Sequence, residues 1–395
     1  MKYAAILGFG TVGSGVAEIL TMNAAEITRS AGEEIVLKRI VDVRDFPDSP
    51  YGPLFTKDFA DVEQDDDITL VAETIGGVGA ALEFTKRCLA KGKTVVTSNK
   101  QLVAEHGPEL MQLARDNGAA YLFEASVGGG IPILAPIRLC LSCNELEEVC
   151  GIVNGTTNYI LTQMFKNGLS FDTALSQAQE LGYAERNPEA DVGGHDTCRK
   201  LCILSALCFG RHVLPELVPT EGIRGVTEED VALAATQKCE IRLVGRALRM
   251  ADGRVTVYVA PHLIPEGTLL SAVEGVTNGI VVRGNAVGQV SFCGPGAGKL
   301  ATASAVISDF TEAVRTPGSR FAPLWKREGE EVLADSSKLE SRWFIRGTGT
   351  PGEGLRHIGT AGETDGYISP KTDEAGISEL TGNMTLMTRF RLLDI

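Results

Sequence analysis

Residues Lys2 to Leu7 form a short β-type run that leads straight into Gly8-Phe9-Gly10-Thr11-Val12-Gly13, and an amphipathic helical pattern through Val16, Ile19 and Leu20 comes next. A G-x-G-x-x-G set between a strand and a helix constrains the fold more than any other feature of the chain. Its glycines serve a tight turn, close backbone approach to a pyrophosphate, and close helix–sheet contact. The helix N-terminus adds free N–H groups and the positive end of its dipole. In this setting Gly8, Phe9, Gly10, Thr11, Val12 and Gly13 read as the phosphate cradle of a dinucleotide site, whereas the same pattern in isolation is only a glycine loop.

Strand-like and helix-like segments alternate through the first third. Strands are expected at Glu34 to Val43, Ile68 to Ile75, Thr94 to Thr97 and Ala119 to Glu124, with helices at Ala80 to Lys91 and Gln101 to Asn117. Repeated βα units with short turns predict an α/β domain with a parallel, doubly wound, Rossmann-type sheet. Ligands of such sheets lie beyond the carboxyl ends of the strands. The clusters Thr74-Ile75-Gly76-Gly77, Thr97-Ser98-Asn99-Lys100 and Glu124-Ala125-Ser126-Val127-Gly128 should therefore face one crevice. At the end of the second strand Asp42 can accept from a ribose 2′-hydroxyl and repels a 2′-phosphate, while Arg44 can pair with that phosphate. NAD and NADP both stay open, and the expectation is use of either.

From about Ile137 the pattern changes. Leu146 to Val153 is strand-like and ends in Asn154-Gly155-Thr156-Thr157-Asn158, with a helix starting near Tyr159. Further strands are expected at Ile241 to Ala247, Val255 to Val259 and Val287 to Phe292, which makes a second, α+β domain. Gly294-Pro295-Gly296-Ala297-Gly298 then opens a helix through Ala301, Ala305 and Val306, as if the chain returned to its first domain. The expected division is 1–136 (completed by about 296–320), 137–295, and a small C-terminal extension, 321–395.

Within the second domain, Gly182 to Lys200 packs Glu185, Glu189, Asp191, Asp196 and Lys200 beside a very apolar helix. Carboxylates and an ammonium entering a buried element carry a large desolvation cost unless they are paired or bind something. Asp196 and Lys200 stand four apart and share one helix face with Ile203, Leu204 and Leu207. An ordinary surface ion pair would sit on a polar face, so this one reads as a site. A lysine so placed can take up or give a proton near neutral pH when burial, like charge or a helix N-terminus lowers its pKa.

The net charge of −14 argues against nucleic acid and anionic membranes as partners. No segment offers eighteen uninterrupted apolar residues, and the N-terminus has no signal-peptide pattern, so the cytoplasm is the expected compartment. The nine cysteines fit that compartment as buried thiols. Cys140 and Cys143 form one C-x-x-C, but no second pair stands at zinc-ribbon spacing.

Taken together, GFGTVG, ETIGG, KTVVTSNK, FEASVGGGIPI, GIVNGTTNYIL, AQELGYAE…DVGGHDTCRK and GPGAGKLATASAVISD resemble, in order and over roughly residues 1–315, the homoserine dehydrogenases. The resemblance implies NAD(P)-dependent interconversion of L-homoserine and L-aspartate 4-semialdehyde, a step of threonine, methionine and isoleucine biosynthesis. It implies that Lys200 transfers the proton and that Lys100 lies beside nicotinamide and substrate. Glu185 and Asp196 then hold the substrate's amino and hydroxyl groups, with Asp191, Gly182 and Tyr183 in the same substrate loop, and Gly296 and Gly298 join the coenzyme contacts. Glu124, Val127, Gly129 and Ile131 fall on a sodium site of one carboxylate and three carbonyls, and oxygen-only donors suit a hard cation. A strand-end loop that simply needs glycine is the competing reading there. The chain departs from the family at Asn187, where an Asp is usual, which bears on substrate affinity; His195 occupies a variable position. The resemblance begins at the nucleotide-binding strand, so no aspartokinase domain is expected in front.

A homodimer through the second domain is also implied, and Ile241 to Ala247 and Val255 to Val259, poor in charge, are expected to pair across its two-fold axis. The family match ends beyond about Phe321. Ser341 to Arg346 reads as a strand, followed by Thr350-Pro351-Gly352-Glu353-Gly354-Leu355 and a short helix, an order that resembles the start of an ACT domain, the ligand-binding module some relatives use for feedback by threonine. Only 55 residues remain from Ser341, so a shortened ACT-like tail, structural rather than regulatory, is expected. Two other functions compete: another amino-acid or semialdehyde dehydrogenase, which would lack NGTTN and GYAE, and a non-catalytic nucleotide sensor, which would lack the two lysines.

Overall fold

The computed structural model describes residues 1–316, 325–327 and 330–394. The chain divides into two units. The first comprises Met1–Cys143, Gly210–Leu214 and Gly294–Arg327, and the second Asn144–Phe209, Pro215–Cys293 and Glu328–Ile395.

The first unit is built on six parallel strands: β1 (Lys2–Leu7), β2 (Ile35–Val41), β3 (Phe55–Thr56), β4 (Ile68–Glu73), β5 (Thr94–Thr97) and β6 (Tyr121–Leu122). They lie in the order β3-β2-β1-β4-β5-β6, so the winding reverses beside β1 and the glycine loop sits at that switch point. The expected α/β class, doubly wound with a second α+β domain and a tail, is the observed one. Helix Lys299–Arg315 belongs to this unit, as the second glycine cluster suggested. It packs on helix Thr11–Met22 so closely that a Cβ on Gly15 would lie 2.6 Å from the Lys299 carbonyl oxygen. Val16, Ile19, Leu20, Val306 and Phe310 close the core against Ala4 and Ile6.

Strand ends differ from the expectation where side chains intercept the backbone. β4 stops at Glu73 rather than Ile75, because the Glu73 carboxylate accepts the N–H groups of Ile75 and Gly76, and Gly76 and Gly77 turn the chain with positive φ. β6 is two residues long, because Glu124–Ser126 turns into a single 3-10 helix.

The second unit carries a nine-stranded sheet in the order Gly288–Pro295, Thr277–Gly284, Leu146–Ile152, Cys239–Arg249, Val255–Pro265, Met384–Leu392, Trp343–Gly349, Thr364–Ile368, Arg356–Ala361. Helix His195–Phe209 lies on one face, and Gly245 makes room for it: a Cβ there would come within 3.1 Å of Thr197 and 3.3 Å of Leu201. Cys150, Ile152, Val244, Ile264, Val281 and Leu393 form a cluster on the other face. Strand Thr277–Gly284 was not expected, since only the run Ile280-Val281-Val282 between glycines announces it.

The two strands expected to meet across a two-fold axis pair instead with each other, antiparallel from Val255↔Arg249 to Pro265↔Cys239. Cys239–Arg249 is bounded on its other side by Leu146–Ile152. The far edge of Val255–Pro265 is covered at Val259 by Pro219 and Glu221, at Val255 by Ala334, and at His262–Leu263 by Arg391–Leu392. Within one chain these strands therefore pair with each other, and Leu146–Ile152 reaches only Gly245–Leu248 of the outer edge of Cys239–Arg249.

The tail extends this sheet. Numbered by their order in the chain, its strands lie 4-1-3-2, antiparallel throughout, with helix Glu374–Leu380 before the fourth. That is the strand order of a split β-α-β, with residues 350–355 making the first crossover without a helix. The buried Arg346 guanidinium reaches Asp230 at 2.7 Å, and Thr388 also donates to Asp230. Among the described residues no cysteine is in a disulfide; Cys140, Cys143 and Cys293 are exposed, against the expectation that every thiol is buried. Among the described residues no helix is long and apolar enough to cross a membrane.

Candidate active site

In the second unit Asn154 is the hub. It caps helix Gly155–Asn167 by accepting from the Thr157 N–H at 2.8 Å. Its amide donates to Asp191 at 2.6 Å and to Asp196 at 2.9 Å. The Lys200 ammonium donates to Asp196 Oδ2 and to the Val153 carbonyl, both at 2.7 Å. Asp196 and Lys200 are buried and one turn apart on helix His195–Phe209, as their spacing predicts. Asn154 was not among the expected site residues. Its sequence signal was legible all the same: an Asn just before a helix is a capping residue, and here the cap's spare amide holds two carboxylates.

Not all of the acidic stretch is buried. Glu185 and Glu189 are exposed, and Glu189 pairs with Arg224 at 2.8 Å. Asp191 is half-buried. The loop between is set by Gly182, whose φ of +75° ends helix Phe171–Glu180, and by Tyr183, whose carbonyl accepts from the Thr156 hydroxyl at 2.5 Å and whose ring packs on Tyr159. Gly182 and Tyr183 are thereby brought to the NGTT turn.

In the first unit the glycine loop meets its geometric demands. Gly8 has φ +91°, and a Cβ on Gly13 would lie 2.0 Å from the Gly8 carbonyl oxygen, so neither position admits a side chain. Gly10 faces open space, and Thr11 and Val12 begin the helix. Phe9 turns inward among Phe46, Tyr51 and Phe55, so only its backbone serves the loop: its N–H donates to Asp42 at 2.6 Å. Asp42 also accepts from the backbone and guanidinium of Arg44. The Arg44 guanidinium first of all, then these backbone donors, hold the Asp42 carboxyl down at about 2 against burial.

Lys100 opens helix Lys100–Asp116, which Asn99 caps through the Leu102 N–H at 3.1 Å. The Asn99 amide donates to the Gly77 carbonyl at 2.6 Å, so the turns after β4 and β5 are joined. Beneath them, Glu73 accepts from the Thr97 hydroxyl at 2.6 Å, and the Asn99 N–H donates to Thr97 Oγ at 2.9 Å. Burial pushes the Glu73 carboxyl up against these donors. Lys100 belongs to the first unit and Lys200 to the second.

Glu124 accepts from the N–H groups of Ile133, Leu134 and Ala135 at 2.6–2.9 Å, capping helix Leu134–Leu139. Gly128 and Gly129 have positive φ, and a Cβ on Gly129 would lie 2.5 Å from Gly296. Gly296 therefore packs on the candidate cation loop, and Gly298, with φ +130°, caps helix Lys299–Arg315. Among the described residues the carbonyls of Val127, Gly129 and Ile131 accept no backbone hydrogen bond outside regular elements. A carboxylate has about four acceptor positions, so Glu124 keeps capacity beyond its three N–H donors. This oxygen set fits a hard cation.

Comparison with known proteins matches these elements to one family. The family model described as homoserine dehydrogenase matches residues 132–311, and that described as homoserine dehydrogenase, NAD binding domain, matches 8–124. The chain is 40% identical over 353 residues to homoserine dehydrogenase of Bacillus subtilis, covering 86% of this chain and 80% of that one. It is similar to the crystal structure of a homoserine dehydrogenase from Thiobacillus denitrificans, with TM-score 0.89 and 35% identity over 100% of this chain and 98% of that one. It is also similar to a hyperthermophilic archaeal homoserine dehydrogenase mutant in complex with NADPH, with TM-score 0.68 and 31% identity over 81% of this chain and 100% of that one. The chain belongs to the homoserine dehydrogenase family of NAD(P)-dependent oxidoreductases.

Proposed function

We propose that this chain interconverts L-homoserine and L-aspartate 4-semialdehyde, with Lys200 as the proton-transferring group. The observation that supports this best is the buried set Val153, Asn154, Asp196 and Lys200, an ammonium aimed by two acceptors at 2.7 Å on an otherwise apolar helix. When bound, the nicotinamide coenzyme supplies or receives the hydride. In aldehyde reduction the Lys200 ammonium gives its proton to the oxygen that becomes the hydroxyl; in alcohol oxidation the neutral amine takes it back. Asp196 orients the ammonium, and Asn154 orients Asp196. Asp191 and Glu185 supply carboxylates for the substrate's ammonium group. Lys100, first residue of a capped helix at the carboxyl ends of the strands, stands on the coenzyme's side of the chemistry. Glu124 with the Val127, Gly129 and Ile131 carbonyls would hold a sodium ion whose role is to fix this loop.

The test is turnover of aspartate semialdehyde followed through NAD(P)H absorbance, in the native chain and in Lys200→Ala. The variant should lose roughly a hundredfold to ten-thousandfold in kcat with its NAD(P)H affinity unchanged. Near-native kcat in Lys200→Ala would move proton transfer to Lys100 or to water, and a native chain inactive on this aldehyde would end the reading.

A further inference from the structure

We propose that Glu73 is a positioning residue for Lys100, acting through Thr97 and Asn99. The proposal rests on the assignment of Lys100 beside the coenzyme and deepens it.

Glu73 and Thr97 are the last residues of neighbouring parallel strands, and neither exposes any surface. The Thr97 hydroxyl has one hydrogen, and it goes to Glu73 at 2.6 Å. Its oxygen is then an acceptor for the Asn99 N–H at 2.9 Å. Asn99, itself buried, caps the helix that Lys100 begins and ties back to Gly77. The other Glu73 oxygen accepts from Ile75 at 2.8 Å and more weakly from Gly76 at 3.4 Å. The bonds therefore close a ring: Glu73, the 75–77 turn, Asn99, Thr97 and back to Glu73. Two turns that a coenzyme would lie against share one buried anchor, and Lys100 is the residue immediately beyond it.

The ring needs an acceptor on both arms of residue 73. A carboxylate is acceptor-only, whereas glutamine offers one oxygen and an amide that only donates. In Glu73→Gln, with the side-chain oxygen serving the 75–77 turn, the amide would face Thr97 Oγ, and the Thr97 hydrogen would lose its acceptor. Glutamine keeps the volume of glutamate and breaks only this polarity, which separates positioning from packing.

The experiment measures kcat, the NADPH dissociation constant by protein fluorescence, and thermal melting in Glu73→Gln, Thr97→Val, Thr97→Ser, Lys100→Ala and the double variant Glu73→Gln/Lys100→Ala. Misplacement of a catalytic group by a fraction of an ångström to 1 Å costs up to about a hundredfold. Glu73→Gln and Thr97→Val should each lower kcat by about tenfold or more, with NADPH affinity within about threefold of native. Thr97→Ser, which keeps the hydroxyl, should recover most of what Thr97→Val loses. In the Lys100→Ala background Glu73→Gln should cost less than about twofold more, since residues acting as a unit are not additive. The proposal is overturned if folded Glu73→Gln and Thr97→Val keep native kcat, if their loss lies in NADPH affinity alone, or if Glu73→Gln costs the same factor without Lys100. Lys100→Ala at native turnover would overturn the underlying assignment instead, and is read from that single variant. Should Glu73→Gln fail to fold, the Thr97→Val and Thr97→Ser pair decides.

Discussion

In the first unit Glu73, Glu124 and Asp309 are buried against backbone N–H groups, whereas in the second Glu148, Asp196 and Asp230 are buried against Arg or Lys. The reach of Glu73 and Glu124 differs from that of Glu148 and Asp230; Asp309, held by the Glu124 N–H 185 residues away, and Asp196, paired with Lys200 four residues on, lie outside this contrast. Glu73 serves an N–H two residues on and Glu124 one nine residues on, while Glu148 to Arg246 spans 98 residues and Asp230 to Arg346 spans 116. Glu73 and Glu124, held by nearby backbone donors, fix the shape of their own loops. Burial pushes all three carboxyls of the first unit up, as expected where dipoles rather than full charges do the holding. A carboxylate held by arginine staples distant segments, at the risk of an uncompensated charge if either partner is lost.

The largest effect should come from breaking the longest staple. Asp230→Ala strands the Arg346 guanidinium, only 8% exposed, and removes an acceptor for Thr388. Removing one partner of a buried pair typically costs about 3–5 kcal/mol. Urea unfolding should show a loss of that order and earlier exposure of Trp343, which lies in the tail's own core. A loss below about 1 kcal/mol would mean that the tail is held by its apolar contacts and that the staple is incidental.

This difference in reach also explains what could be read from the chain beforehand. The glycine loop, the alternation of strands and helices in the first unit, and the Asp196–Lys200 spacing are local patterns, and each stands where its period and turn chemistry put it. Asn154 sits in a recognisable motif, but its bonds to Asp191 and Asp196 cross 37 and 42 residues, and no local pattern announces them. The tail was hardest for the same reason. Arg356–Ala361 and Thr364–Ile368 contain glycines that weaken any strand pattern, and Met384–Leu392 alternates charge and apolar residues without a clear face. Their register comes from neighbours in space, Trp343–Gly349 and Val255–Pro265. Ile241–Ala247 and Val255–Val259 pair with each other inside one sheet, and low charge marks an interior strand as readily as an interface.

A smaller effect should distinguish a backbone-held carboxylate. Glu124→Gln can serve Ile133 and Leu134 with its oxygen, but its amide then faces the Ala135 N–H, now bonded at 2.6 Å. One orphaned buried donor costs about 1–3 kcal/mol, so unfolding should move by about 2 kcal/mol. Exchanging sodium for choline at constant ionic strength should also destabilise the native chain and leave the variant indifferent. A native chain that ignores the exchange would reduce Glu124 to a helix cap.

Asp42 combines both modes, and its effect should be the smallest. It accepts from the Phe9 and Arg44 N–H groups and pairs with the Arg44 guanidinium at 2.9 Å. Its carboxyl sits at about 2 instead of 3.8, so its contribution to stability is complete above the ordinary value and fades as pH falls toward 2. At neutral pH the pair is at full strength. Arg44 is 59% exposed, so solvent screening leaves the pair weak. A 2′-phosphate must draw Arg44 away from Asp42, and a free 2′-hydroxyl can use Asp42 as it stands. Drawing the guanidinium out of so exposed a pair costs a 2′-phosphate little. The chain should therefore use NAD and NADP with kcat/KM values within about a thousandfold of each other, roughly 4 kcal/mol. Arg44→Ala should lower kcat/KM for NADP by about tenfold and leave NAD within about threefold. Equal losses with both coenzymes would show that the Arg44 guanidinium shapes the loop through its side-chain bonds to Asp42 and reads no phosphate, since the alanine variant keeps the backbone N–H that Asp42 accepts.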